Sequence, residues 1–252
     1  MKESLYQYLL LLGDNAMILG HRLSELCGHG PSLETDIALT NISLDLFGQV
    51  RNYFQYAAEV KDDQEKTTED KIAFLRYPHE YRNVLLVEQP NKDFAFVIAR
   101  QFFFDAYHLL LLKELCKSKD EQINAIANKS IKEVKYHLRF SSEWLKRLGD
   151  GTAESHDKMQ AAVNYLYPYV GELPSESPIE KEMKEAGIGP DLGVLRTAYF
   201  AQIKSTLAEA TLETPQFFGF HSGGKKGVHS EHHGFILSNL QYMQRTYPEM
   251  EW

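Results

Sequence analysis

Asp105 and His108 stand three residues apart in the run FFFDAYHLLLLKEL (102–115), among phenylalanines and leucines. On a helix this spacing puts a carboxylate and an imidazole on one face, an arrangement shared by metal ligands and by buried groups that satisfy only each other. Three further acids sit in apolar helical stretches. Asp14 lies between Leu10-Leu11 and Met17-Ile18, Asp45 follows Asn41-Ile42, and Glu133 precedes Tyr136 by three. From 14 to 45 is 31 positions and from 105 to 133 is 28. Each interval suits an antiparallel helix pair with its turn, so the spacing predicts that all four carboxylates reach a similar depth.

In bundle di-iron proteins two helices give one Glu each and two give Glu-x-x-His. Carboxylates bridge and neutralise the cations, and imidazoles complete each iron. Here the place three after Asp45 is Gly48, and the place three after Glu133 is Tyr136. The one carboxylate-x-x-His pair, Asp105/His108, falls on a helix expected to give a single carboxylate. His137 is offset by one residue, about 100° of rotation. The pattern therefore predicts a degenerate seam of Asp14, Asp45, Gly48, Asp105, His108, Glu133 and Tyr136, with no catalytic residue and no metal. Its buried acids must then be paired or protonated. A bound di-metal centre, and acids that simply face water (Glu133 above all), remain the alternatives.

HSGGKKGVHSEHHGF (221–235) is the other unusual stretch. Gly223, Gly224 and Gly227 surround Lys225 and Lys226 just before a helix, which suits a subunit-docking loop, a phosphate contact or a plain helix lead-in. Glu231, His232 and His233, with His221 and His229 nearby, lack HExxH spacing. No GxSxG, Cys–His dyad, Walker loop or nucleotide fingerprint occurs.

The elements that must position these residues read as helices. Leu5, Leu9, Leu12, Ala16, Leu19, Leu23 and Leu26 form a three-four stripe over about 3–26. A second helix covers about 36–60, followed by KDDQEKTTEDK, read as an exposed loop. A third element starts near His79, is broken or kinked at Pro90, and resumes through residue 115. A fourth covers about 121–148, which completes a core bundle over about 3–148. Accessory helices over about 153–247 follow: 153–170, a connection at 171–190, then 191–213 and 229–246. Strand signals are poor. The expectation is an all-α bundle of four long core helices with additional C-terminal helices, one domain over 1–252, and residue 150 is the one possible cut. Phe102–Phe104 and Tyr165, Tyr167 and Tyr169 are expected in the core or at a subunit interface.

The 252 residues are 43% hydrophobic and 25% charged, with a formal net charge of −8 and no basic stretch, which argues against nucleic acid as partner. Cys27 and Cys116 form no disulfide framework, and the apolar runs seen in the sequence are too short to cross a bilayer. No membrane partner and a cytoplasmic setting are expected.

Taken together, LGDNAMILGHRLSELCGHGP, DIALTNISLDLFGQVRNY, RNVLLVEQPNKDFAFVIARQFFFDAYH, IKEVKYHLRFSSEWLKRLGDG and SGGKKGVHSEH closely resemble the C-subunit family of bacterial phenylacetyl-CoA epoxygenases, from Leu12 to Trp252. The resemblance implies a ferritin-like fold and a place in a multicomponent mono-oxygenase of aerobic phenylacetate breakdown, which forms the ring-1,2-epoxide of phenylacetyl-CoA with O₂ and NADPH. It implies a di-iron centre in a related A subunit, FAD and an iron–sulfur cluster in a reductase, and a small B subunit. This chain would be the A subunit's non-catalytic partner with no cofactor of its own, and Lys225 and Lys226 are candidates for contact with CoA or a neighbouring subunit. A stand-alone di-metal oxygenase or oxidase with an atypical ligand set, and a ferritin-like binding protein without a redox role, are the competing readings.

Overall fold

The computed structural model describes residues 1–61, 67–216, 219–248 and 250. Ten α-helices account for most of these, and the described residues include no strand. Helix α1 (Lys2–Ser24) and α2 (Leu33–Lys61) form one long pair, and α5 (Phe94–Leu115) and α6 (Glu121–Gly149) form the other. Short helices α3 (Glu69–Phe74) and α4 (Leu85–Glu88) lie on the crossover between the pairs. Around them pack α7 (Ala153–Leu166), α8 (Pro178–Glu185), α9 (Leu192–Glu209) and α10 (Glu231–Thr246).

The chain directions follow from side-chain pairs. Tyr56 Oη donates to Asp120 Oδ2 at 2.7 Å, and Asp45 meets His137 at 2.9 Å, so α2 and α6 run antiparallel. The short turn after Leu115 makes α5 and α6 antiparallel as well, which leaves α2 and α5 parallel and joined by the long crossover. One such crossover is the ferritin-like connectivity. The all-α bundle expected from the sequence is therefore present.

Capping fixes several of the helix starts. Asp93 accepts from the Phe96 N–H, Asp120 from Ile123 and Thr152 from Ser155. Of α5, only Phe94, Leu110, Lys113 and Glu114 escape full burial. Among the described residues it is the one helix long and apolar enough to span a membrane, and it forms the centre of the bundle instead. Phe102, Phe103 and Phe104 are core residues, whereas Tyr165 is 40% exposed. A single hydrophobic cluster takes in residues from α1 through α10.

The structure corrects the boundaries in three places. The crossover segment before Pro90 holds a 3₁₀ turn at Pro78–Glu80 and the single turn α4, not a continuous helical arm. The charged stretch read as loop includes α3 from Glu69, while residues 62–66 lie outside the described ones. The connection at 171–190 contains α8, which begins with a capping box: Ser177 Oγ accepts from the Glu180 N–H, and Glu180 Oε2 accepts from the Ser177 N–H.

Candidate functional site: a closed polar seam

The acids predicted to share one level separate into two clusters, and the register of the helix pairs explains why. Gly13 abuts Phe54 and Gly20 abuts Phe47, so seven residues along α1 match seven back along α2. On that register Asp45 lies level with Arg22, eight residues and about 12 Å along the axis from Asp14. The 31-residue interval misleads because α2 extends past the end of α1. The other pair is displaced in the same sense. Ser141, not Glu133, stands opposite Asp105 and donates to its Oδ2 at 2.8 Å.

Asp14 is accordingly no member of the seam. It is fully buried and clamped by Arg76, whose Nη1 donates to Oδ2 at 3.0 Å while Nη2 donates to Oδ1. The Arg82 backbone N–H adds a third bond at 2.8 Å. Arg76 also donates to the Ile72 and Glu80 carbonyls and lies 4.1 Å from the Tyr81 ring centroid. Burial works against the Arg76 charge, but the adjoining Asp14 carboxylate offsets this and holds the guanidinium above its ordinary value. This cluster pins the crossover onto α1.

The second cluster lies between α2, α5 and α6. His137 is fully buried, and its Nε2 stands 2.9 Å from Asp45 Oδ2. Asp105 is fully buried and accepts Gln101 Nε2 at 2.7 Å in addition to Ser141. Burial pushes its carboxyl up to about 7, against the pull of His137 and the two hydrogen bonds. Burial and then His137 bring His108 down to about 3, which keeps the ring neutral. Half-buried Glu133 is raised by burial and by the nearby Asp45 charge. The Gln49 amide stands close enough to lower it, though not at hydrogen-bonding geometry.

Gly48 and Tyr136 do not face this seam. Both are exposed, and nothing stands within 4 Å of the place a Gly48 Cβ would occupy. The interior positions are one residue further on, Gln49 and His137. The offset that seemed to exclude His137 is the offset that carries it inside. Gln49, Gln101 and Ser141 escaped the motif comparison and His137 was set aside by it, yet the buried stripe of α6 (Ile123, Ile126, Ser130, Val134, His137, Ser141, Leu145) marks His137 and Ser141 by helical period alone.

A di-iron centre does not fit these donors. Asp14 is committed to Arg76, both Asp105 oxygens accept protein hydrogen bonds, and His137 Nε2 faces Asp45. Among the described residues no three His, Cys, Asp or Glu side chains converge as a metal site requires. Asp14 is matched by Arg76 and Asp45 stands against His137, while Asp105 is held by the neutral Gln101 and Ser141.

The glycine–lysine loop is a clasp. Lys225 is buried, and its Nζ donates to the Leu173 and Ser175 carbonyls at 3.0 and 2.7 Å and pairs with Glu180 at 2.7 Å. This corrects its assignment to docking or phosphate contact. The Gly223 N–H donates to Glu172 Oε1 at 2.7 Å. Gly224 and Gly227 press against the carbonyls of Asn83 and His79 too closely for any side chain, and Gly227 has φ +79°. Only Lys226 of the two lysines is exposed. His229 Nδ1 lies 2.6 Å from buried Glu88, whose other oxygen accepts Ser230 N–H and Oγ. His233 stacks on His229 and is brought down to about 3 by burial and His229. His229 and His233 thus tie the start of α10 to the crossover, through Glu88 and Tyr81.

Fold and seam define a ferritin-like helical bundle in which protein groups partner Asp14, Asp45 and Asp105. The family described as phenylacetic acid catabolic protein matches residues 1–252. The chain is also 48% identical over 250 residues to the C subunit of 1,2-phenylacetyl-CoA epoxidase from Escherichia coli (strain K12), covering 99% of this chain and 100% of that protein. The chain belongs to the phenylacetic acid catabolic protein family.

Proposed function

We propose that this chain is the non-catalytic structural subunit of a multicomponent phenylacetyl-CoA 1,2-epoxidase, acting as one unit over residues 1–252 in the cytoplasm. The observation that carries the reading is the end-to-end likeness to a protein named as the C subunit of that epoxidase. The seam supports the non-catalytic part, because Gln101 and Ser141 occupy the Asp105 oxygens and His137 occupies Asp45. In this reading a related A subunit holds the di-iron centre, and a reductase with FAD and an iron–sulfur cluster passes electrons from NADPH. A small B subunit joins the assembly, and phenylacetyl-CoA and O₂ react on the A subunit. The present chain contributes a rigid bundle against which the catalytic helices rest.

Reconstitution tests this. Phenylacetyl-CoA turnover coupled to NADPH is expected with the A subunit, reductase and this chain together, and to vanish when the A subunit is withheld although this chain stays folded. Turnover by this chain and reductase alone would restore the stand-alone oxygenase. Failure to co-purify with the A subunit would favour an independent binding protein.

A further inference from the structure

Helix α2 is apolar on two sides. Its buried stripe, which includes Leu39, Ile42, Leu46, Val50 and Tyr53, faces the bundle. On the opposite side Leu33, Ile37 and Leu44 are 72, 50 and 61% exposed. Half-buried Thr40 and Phe47 and exposed Arg51 complete that side, at positions 33, 37, 40, 44, 47 and 51. The steps alternate four and three residues throughout, which is the spacing of a coiled-coil seam. A surface helix needs one apolar stripe to join its own core, and a second stripe at this spacing is shaped to receive another helix.

The outer stripe is complementary to itself. Two copies can meet antiparallel across a twofold axis at the level of residue 42. Leu44 of one copy then packs on Thr40 of the other, Ile37 packs on Phe47, and the Arg51 stem lies along Leu33. In that register the Arg51 guanidinium reaches Glu34, the residue after Leu33, so an ion pair closes each end of the seam. Glu34 and Arg51 are both exposed. Within its own chain Arg51 acts on the Glu69 carboxyl, as the weakest of the influences on it. A parallel pairing would set Glu34 level with Glu34 and Arg51 level with Arg51, like charge with like. Gly48 lies beside the seam with open space at its Cβ position, which leaves room where Glu34 of the other copy passes.

We propose that two copies of this chain associate through the outer face of α2, antiparallel and about a twofold axis. Each residue of the seam then serves twice, as a twofold interface requires. From Leu33 to Arg51 the seam is about 27 Å long. A contact of that length buries roughly 1,200 Å² in total, at the low end for specific interfaces. The dimer is accordingly weak, with a Kd on the order of 10 µM. The pairing stands or falls independently of the subunit reading, since it joins two copies of this chain whatever else each one carries.

Sedimentation equilibrium of the full chain, from about tenfold below to tenfold above that Kd, tests it. A reversible monomer–dimer equilibrium is expected. Leu44→Glu should be monomeric throughout, with the helical circular dichroism of the parent, because the side chain it alters is exposed. Glu34→Arg and Arg51→Glu should each weaken association about tenfold, since each acts at both ends of a twofold seam. The double variant Glu34→Arg/Arg51→Glu restores opposite charges across the seam and should recover the parent affinity to within about twofold. A monomer at every concentration, a dimer that survives Leu44→Glu, or a double variant no better than its singles overturns the proposal. Dissociation of the dimer by an added A subunit, with A-subunit binding lost in Leu44→Glu, assigns the stripe to that subunit and overturns it as well.

Discussion

Asp105 is a buried carboxyl whose proton is a matter of pH. Its ordinary value is 3.8 and burial pushes it to about 7. Between those values the folded chain keeps a proton that the unfolded chain has released. The stability it contributes is therefore present at low pH and lost as pH rises through about 7. His108 works the other way: brought down to about 3 from 6.5, it contributes stability that is present above pH 6.5 and lost as pH falls. Replacing Asp105 by Asn keeps an acceptor for Gln101 and removes the charge. Relative to the parent, Asp105→Asn should gain about 1–3 kcal/mol between pH 5 and 8 in denaturant titrations. A difference that stays flat across that range would show that Asp105 does not titrate as described. The carboxylates and His108 were legible as chemistry in the sequence, but their partners were not. A borrowed three-residue motif pointed to Gly48 and Tyr136, whereas each helix's own apolar stripe points to Gln49 and His137.

Among the elements, the crossover was the least legible. Its short helices carry no long periodicity, and they are held by residues distant in sequence, Arg76 to Asp14 and His229 to Glu88. The long helices were visible because α1, α2, α5 and α6 each sustain an apolar stripe over 22 to 29 residues. Helix α8 did leave a signal, Ser177-Pro178-Ile179-Glu180, which joins a capping box to a proline in the first turn. The Asp14–Arg76 clamp makes a sharp prediction. Asp14→Ala strands a buried guanidinium and should cost about 3–5 kcal/mol, while the apolar pair Asp14→Leu/Arg76→Met costs less than Asp14→Ala alone. Equal losses in the two variants, read from denaturation midpoints, would count against the clamp. Glycine substitutions probe the α1–α2 contact in the same assay. Gly13→Ala drives a methyl into the buried Phe54 ring and should destabilise by about 1–3 kcal/mol. Gly48→Ala, on an exposed helical face with open space, should stabilise by about 0.5–1 kcal/mol. Similar effects at the two sites would mean the register is misplaced.

At the scale of the whole molecule, the bundle keeps the connectivity of a metal-bearing fold while its interior acids have found other partners. Arg76 takes Asp14, Gln101 and Ser141 take Asp105, and His137 takes Asp45. On the proposed reading the bundle serves through its shape and surface and supports chemistry on another subunit. Metal loading tests that claim most directly. The purified chain, incubated anaerobically with excess Fe(II) and then desalted, should retain well under one iron per chain and show no visible absorption on exposure to air. Retention of two irons per chain, lost on substitution of Asp45, Asp105 or Glu133, would contradict the account at its centre.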